Sequence, residues 1–294
     1  MTVRDLGYRA YEGELRAPSQ NLWVMMRHGL WRIWGSWLNK FVVFFFWVPL
    51  LVLGLMAMAR FAAVGPELPE IPEDAVGFGR WFMSPPAVWI RTLTGIQFWF
   101  FASLVTIRSG AGVISEDLNN RAYQFYFAKP LTPIQYLLGR TGALAIWVFG
   151  LIFVPSLLMI LLFMGLGPET ERLERLGLVL PALFDATLIA VAMSTLSVAT
   201  SALSRSRALT LTAWALILFV PFTLAFLVQG IGDVEWVFAA SLPGALWSVG
   251  DALYKVSGSW DHLMWFHTAP ILVIAVGGGG YAAMQRLKGA EVIT

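Results

Sequence analysis

Six apolar runs alternate with short polar segments along most of the chain. The runs are Phe41–Ala59, Thr92–Ile107, Thr141–Met164, Leu178–Leu203, Ala208–Val228 and Leu263–Met284. A helix rises about 1.5 Å per residue, so a run of about 20 apolar residues crosses the roughly 30 Å apolar core of a bilayer. The second run reaches that length if Val88–Arg91 extends it, with Arg91 at the interface. The pattern predicts an all-α integral membrane protein with six transmembrane helices.

Residues 21–40 carry a different pattern, with apolar side chains at helical steps and tryptophan and basic residues around them. The apolar positions are Leu22, Met26, Leu30, Ile33 and Trp37. This pattern predicts an amphipathic helix lying in the plane of the membrane. The alternative is a simple extension of the first span, but four tryptophans favour the in-plane helix. We therefore expect one transmembrane domain, 1–294, with a lead-in and interfacial helix in 1–40, the bundle in 41–285 and a tail in 286–294.

The connection before the last span contains a second apolar stretch, Trp236–Tyr254. Pro243 and Gly244 interrupt this stretch, and each half is too short to cross a bilayer. The pattern predicts a broken element here, either a re-entrant hairpin or two interfacial helices.

Composition agrees with a membrane protein: 58% of the residues are hydrophobic and only 13% are charged. Cysteine is absent, which excludes disulfides and thiolate metal sites. No H-E-x-x-H, G-x-S-x-G or phosphate-loop pattern occurs, so the chain is not expected to be an enzyme. Fourteen of the 20 Lys and Arg residues lie on one side of the predicted topology, which predicts that both termini are cytoplasmic. The six on the outer side are Arg60, Arg80, Arg91, Arg172, Arg175 and Lys255.

A polar stretch of unusual composition, residues 114–140, connects the second and third spans. Ser115 is a good helix N-cap residue. Glu116 and Asp117 follow in the first turn, where carboxylates interact favourably with the positive end of the helix dipole. Pro130 disfavours a helical Lys129, and Thr132-Pro133 signals a new helix start. We expect a short cytoplasmic helix over about 116–127.

A solvated connector is the plain alternative for such a charged loop. The sharp boundary signals and a cluster of aromatic residues favour a docking surface for a cytoplasmic partner. The aromatic residues are Tyr123, Phe125, Tyr126 and Phe127.

Asp185 is the one acid inside an apolar run. A charged group in the middle of a span costs about 2.5–3.5 kcal/mol on insertion scales, so its side chain should face protein or water. It lies one or two turns from the outer end of its run. Both a wetted interfacial residue and a contact in a transport pathway therefore stay open.

The stretch 114–140 resembles the loop between the second and third spans in permeases of type-2 ATP-binding-cassette exporters. The resemblance lies in Ile114–Asp117, Arg121, Lys129-Pro130-Leu131 and Tyr136–Arg140. Lys129 stands where that family usually has Arg, and Arg140 where it usually has Lys. The predicted in-plane helix, six spans and broken outer element also resemble that family.

The resemblance implies a permease subunit that carries no cofactor itself and forms the translocation pathway. Its expected partners are two copies of a cytoplasmic ATPase subunit that binds ATP-Mg, a second permease copy or paralogue, and the lipids of a bacterial-type inner membrane, but no nucleic acid. The residues expected to couple to the ATPase or to brace the in-plane helix are Glu116, Asp117, Arg121, Tyr123, Lys129 and Pro130. The substrate stays open.

Two other functions remain as alternatives. The chain could be a membrane anchor or assembly protein that recruits a cytoplasmic partner through the same loop and transports nothing. It could also be an ion-coupled carrier that uses Asp185 and needs no ATPase.

Overall fold

A computed structural model describes residues 20–65, 76–120, 122, 131–229, 241–256 and 265–291. Throughout these ranges the regular structure is helical, without a strand. Six helical stretches are long and apolar enough to cross a membrane, as the sequence predicts. Here they are called spans 1 to 6, in order Trp37–Val64, Pro86–Asn119, Pro133–Leu166, Glu169–Leu203, Arg207–Ala225 and Phe266–Lys288.

Several spans consist of more than one helical segment. Span 1 contains Trp37–Phe45 and Trp47–Val64. Span 2 contains Pro86–Ile96, a π-helical segment Gln97–Ala102, Ser103–Val105, a second π-helical segment Thr106–Gly110, and Val113–Asn119. Span 3 is the single helix Pro133–Leu166, and span 4 combines a 3₁₀ turn, Glu169–Glu171, with Arg172–Gly177 and Val179–Leu203. The helices of spans 5 and 6 continue to Arg207–Gln229 and Trp265–Glu291.

Three described helices lie outside the spans. They are Asn21–Gly35 (the N-terminal helix), Gly77–Phe82, and Leu242–Tyr254 (the loop helix).

Local sequence signals explain several helix boundaries. Thr132 and Gln135 form a capping box at the start of span 3, and Pro133 occupies the first turn, as predicted from Thr132-Pro133. Pro49 cannot donate a hydrogen bond to the fourth residue before it, and the helix of span 1 is interrupted next to that residue, at Phe46. Gly65 ends span 1 with φ of 92°, a conformation that favours glycine.

The N-terminal helix packs along span 3. Its buried stripe is Met25, Gly29 and Ile33. A Cβ atom added to Gly29 would lie 2.6 Å from the Cβ of Ala143, so glycine is needed for this approach of the two helices. Trp23 and Trp31 are exposed on other faces.

The helix ends at Gly35 and span 1 starts at Trp37, because Ser36 between them is extended. The separate helix is therefore confirmed, with an end earlier than the predicted Lys40, and its orientation in the membrane plane stays a prediction.

Spans 3 and 4 pack along each other at the centre of the bundle, and span 4 also packs against span 6. Small side chains allow close approach here: a Cβ atom on Gly110 of span 2 would lie 2.3 Å from the Oγ atom of Ser197. By contrast, Leu51, Leu55, Val273 and Ile274 are more than half exposed on spans 1 and 6. Such surfaces suit a lipid environment.

The loop helix begins beside the Pro243-Gly244 pair, where the sequence predicts a break, and Ser241 before it is extended. Both residues lie in its first turn, where the absent N–H of proline costs nothing, and the Oγ atom of Ser241 accepts a hydrogen bond from the Gly244 N–H at 3.0 Å. The Pro-Gly pair therefore lies in the first turn of a helix, and the prediction of two interfacial helices or a re-entrant hairpin stays a prediction. The preceding residues of this connection, 230–240, lie outside the described residues.

Candidate functional site

A short helix, Val113–Asn119, overlaps the start of the helix predicted over 116–127, and residues 121 and 123–127 lie outside the described residues. This junction helix is the last helical segment of span 2 and follows a turn at 111–112; its N-cap residue is Gly112, so the prediction of Ser115 as N-cap is wrong. The Ser115 Oγ atom instead donates to the carbonyl of Gly112 at 3.1 Å. Arg121, Tyr123, Lys129 and Pro130, all predicted coupling residues, lie outside the described residues.

A side chain of span 4 caps the junction helix. The first backbone N–H groups of a helix lack partners within it, and here the N–H groups of Ile114 and Ser115 donate to the Oγ atom of Ser201, at 2.9 and 3.0 Å. Ile114 and Ser115 are fully buried, whereas Asn119 and Asn120 are exposed. The start of the junction helix is thus held inside the bundle, and its end lies at the surface.

Glu116 connects two elements that are distant in sequence. Its carboxylate forms ion pairs with Arg32 of the N-terminal helix and with Arg207 at the start of span 5. Both arginine side chains are 39% exposed and that of Glu116 is 24% exposed. Pairs with this much solvent contact each contribute at most about 1 kcal/mol, so they orient the junction helix more than they stabilise the fold.

Asp117 makes the more buried contacts. Its Oδ2 atom accepts a hydrogen bond from the Tyr136 hydroxyl at 2.5 Å and from Arg140 Nη2 at 2.6 Å, both on span 3. Its Oδ1 atom lies 3.9 Å from Arg32 Nη1. Charge-assisted hydrogen bonds of this kind are about twice as strong as neutral ones.

We call Arg32, Glu116, Asp117, Arg140 and Arg207 the junction cluster. It connects the junction helix to the N-terminal helix, to span 3 and to span 5. The sequence analysis left open whether Glu116 and Asp117 contact a partner or brace the N-terminal helix. Bracing contacts are present for both residues.

Asp185 belongs to a second charged group, which we call the ion triad: Arg91 of span 2, Asp185 of span 4 and Asp251 of the loop helix. Arg91 Nε donates to Asp251 at 2.7 Å, and Arg91 Nη1 lies 3.3 Å from Asp185. Arg91 Nη2 also donates to the backbone carbonyl of Trp247 at 2.7 Å, and the guanidinium lies 4.3 Å from the indole ring. One arginine thus holds two spans and the loop helix together.

The described residues that surround the triad bury its side chains. Asp185 is 0% exposed and Arg91 is 4% exposed, which argues against Asp185 as a wetted residue, whereas the position of Arg91 relative to a membrane interface stays a prediction. A Cβ atom on Gly250 would lie 2.5 Å from Arg91 Cζ, and one on Gly95 would lie 2.4 Å from the Trp247 ring. Two glycines therefore leave the space that the guanidinium and the indole occupy.

The contacts of the triad are those of an ion-pair network that holds helices together. Two carboxylates share one guanidinium, and the Oδ1 atom of Asp185 has no hydrogen-bond partner among the described residues. Charged groups that leave water in this way must be paired, since an isolated charge in an apolar interior is very costly. Within the described ranges, no group of three or more His, Cys, Asp or Glu residues could hold a metal ion.

The partners of both acidic sites were missed by the sequence analysis. Arg91 and Asp251 are 160 residues apart, so no local pattern links them. A partial signal exists for Tyr136 and Arg140, which lie four residues apart and therefore on one face of a helix that starts at the predicted boundary. Their contact with Asp117 depends on how spans 2 and 3 pack.

The two charged groups lie at opposite ends of the bundle. Arg91 and Glu116 are both in span 2, and 25 residues at about 1.5 Å per residue place them roughly 35–40 Å apart. Comparison of the chain with protein-family models and with curated proteins finds no match.

Proposed function

We propose that this chain is the membrane-spanning permease subunit of an ATP-driven exporter of the ATP-binding-cassette type. In this proposal two permease subunits pair in a bacterial-type inner membrane, with both termini cytoplasmic, and form the translocation pathway. Each permease subunit contacts one copy of a separate ATPase subunit, which binds ATP-Mg. The chain itself carries no catalytic site.

The observation that supports this proposal best is the junction cluster. The junction helix at the end of span 2 is tied by charged side chains to the N-terminal helix, to span 3 and to span 5. Force applied to the exposed end of the junction helix, at Asn119 and Asn120, would therefore act on three other elements at once. A connector that served only to join two spans would not need these contacts.

The strengths of these contacts suggest which helices would move together in such a movement. Asp117 and Arg140 are both largely buried, and breaking such a pair costs about 3–5 kcal/mol. The pairs of Glu116 are wetter and weaker, so they can open and re-form more easily. In the proposed cycle the junction helix, span 3 and the N-terminal helix packed along it move together, and span 5 changes its position relative to them.

ATP can drive such a cycle only if the assembly with ATP bound favours one arrangement of the spans over the other. A tenfold change in coupling corresponds to about 1.4 kcal/mol, which is within the range of the weak pairs around Glu116. The ion triad at the other end would stay closed throughout, since its opening is much more costly.

The test is ATP hydrolysis by the full-length chain purified together with its ATPase subunit and reconstituted in nanodiscs. Glu116→Arg places three basic side chains together, and we expect it to lower ATP turnover about tenfold. Arg32→Glu combined with Glu116→Arg restores one of the two pairs and should recover part of the turnover.

Glu169→Arg is the matched control, because Glu169 is 83% exposed at the opposite end of the bundle and pairs only with nearby Arg172 among the described residues. It should leave turnover unchanged. If Glu116→Arg folds, binds the ATPase and turns over ATP like the unmodified complex, the proposal fails. A complex whose ATPase never responds to changes in the junction cluster would instead indicate a membrane anchor.

A further inference from the structure

A partly open cavity of about 590 Å³ lies beside the junction cluster. Its walls come from the second half of the N-terminal helix, the start of span 1, the end of span 2, span 3 and the first residue of span 5. Its volume is within the roughly 300–1,000 Å³ that is usual for small-molecule sites. The cavity is therefore large enough to hold a ligand group.

The charges that line the cavity are strongly unbalanced. Among the described residues that line it, four are arginines and one, Glu116, is acidic. The arginines are Arg32, Arg108, Arg140 and Arg207. Asp117 lies behind Arg140, and even when it is counted an excess of two positive charges remains. A group that complements this cavity must be an anion.

Arg108 distinguishes a ligand site from a purely structural cluster. The other three arginines form ion pairs with Glu116 or Asp117, so internal contacts explain their presence. Arg108 makes no ion pair or hydrogen bond within the part of the chain that the structure describes, yet it lines the cavity. Its guanidinium is available to an incoming anion.

We propose that this cavity binds the phosphate group of an anionic ligand. Guanidinium groups present planar, paired donors that fit phosphate oxygens, and several can contact one tetrahedral phosphate together. The phosphate can belong to an anionic phospholipid or to a soluble phosphate ester, since the arginines recognise the same group in both. The proposal goes beyond the exporter function and does not depend on it.

The mouth of the cavity favours a lipid as the source of the phosphate. Trp37 lines the cavity and is 76% exposed. Its ring lies 5.9 Å from that of Phe41, which in turn lies 4.2 Å from that of Phe45 on the outer face of span 1. An acyl chain can follow these rings along span 1 while the headgroup phosphate lies among the arginines. Aromatic side chains of this kind are common at the headgroup level of a bilayer.

Binding is measured on the purified full-length chain in detergent by native mass spectrometry. The probes are phosphatidylglycerol, which is anionic, and phosphatidylcholine, which has the same phosphate but a compensating cation. We expect tighter binding of phosphatidylglycerol. Arg108→Gln should weaken that binding about fivefold, the effect of one basic side chain at a membrane surface.

Arg205→Gln is the matched control. Arg205 is an exposed arginine on the connection before span 5 that does not line the cavity, and we expect its loss to change binding less than twofold. Glu116→Gln removes the competing carboxylate and should tighten binding. Equal losses for Arg108→Gln and Arg205→Gln, or equal binding of the two lipids, would overturn the proposal.

A competition arm identifies the source. Glycerol 3-phosphate at millimolar concentration is added to the complex with phosphatidylglycerol. Displacement of the lipid supports a phosphate site that also accepts soluble esters, and retention of the lipid supports a site in which acyl-chain contacts add to the phosphate contacts. Because no ATPase is present, the result is independent of the proposed exporter function.

Discussion

Replacing Arg91 by Met tests whether the ion triad holds the loop helix to the bundle. The substitution keeps a long apolar side chain but removes the guanidinium and its contacts with two carboxylates and a backbone carbonyl. Asp185 is fully buried, so its charge would be left in an apolar interior with no compensating cation among the described residues. The variant should therefore be strongly destabilised.

The magnitude follows from the burial of the partners. The side chains of Arg91 and Asp185 are 5% and 0% exposed, and that of Asp251 is 12% exposed. Removing one member of a buried pair costs about 3–5 kcal/mol, because the other member stays behind uncompensated. For a chain of this size each kcal/mol lowers the melting temperature by roughly 2–4 °C, so a decrease of about 10 °C is expected.

The assay is thermal unfolding of the purified chain in a single detergent, followed by circular dichroism. Arg172→Met is the control, because Arg172 is 50% exposed and its pair with Glu169 is worth at most about 1 kcal/mol. In the double variant Arg91→Met with Asp185→Asn, the carboxylate that loses its arginine partner is itself replaced by a neutral amide. The double variant should be more stable than the sum of its single variants predicts, by about 0.5–3 kcal/mol.

Two results would refute this reasoning. One is a melting temperature for Arg91→Met that equals that of Arg172→Met. The other is strict additivity in the double variant, which would mean that the guanidinium and the carboxylate do not stabilise each other.

Four further substitutions test individual contacts, by the same unfolding assay or, for Gly29→Ala, by limited proteolysis. Gly250→Ala places a methyl group against the guanidinium of the triad and should lower stability, whereas Gly150→Ala has open space and should raise it by about 0.5–1 kcal/mol; equal effects would contradict the close approach. Gly29→Ala should separate the N-terminal helix from span 3, which limited proteolysis of residues 20–35 would detect as faster cleavage. Tyr136→Phe removes the hydroxyl that donates to Asp117 and should cost about 1.5–3 kcal/mol, and an unchanged melting temperature would argue against that bond.

The six spans and a separate N-terminal helix could be predicted from the order of residues alone. Each crossing of a bilayer requires about 20 apolar residues, and these residues are consecutive in the sequence, so each span can be recognised from its own segment. Some boundaries were equally local: the start of span 3 was predicted from Thr132-Pro133, and its capping box joins Thr132 to Gln135, three residues away. Other boundaries were not, since the cap of the junction helix comes from Ser201 on span 4 rather than from Ser115.

The ion-pair partners of the charged residues could be found only in the tertiary structure. Asp185 could be recognised as costly in an apolar run, but its partner Arg91 is 94 residues away, and Asp251 joins the pair from a third element. Glu116 likewise meets arginines 84 and 91 residues away. Hydropathy records the free energy of placing a segment in lipid, whereas ion pairing depends on which helix faces meet. Which helix faces meet depends on the packing of whole helices. Gly95 and Gly250 contribute to it, because they leave space for the Trp247 ring and the Arg91 guanidinium.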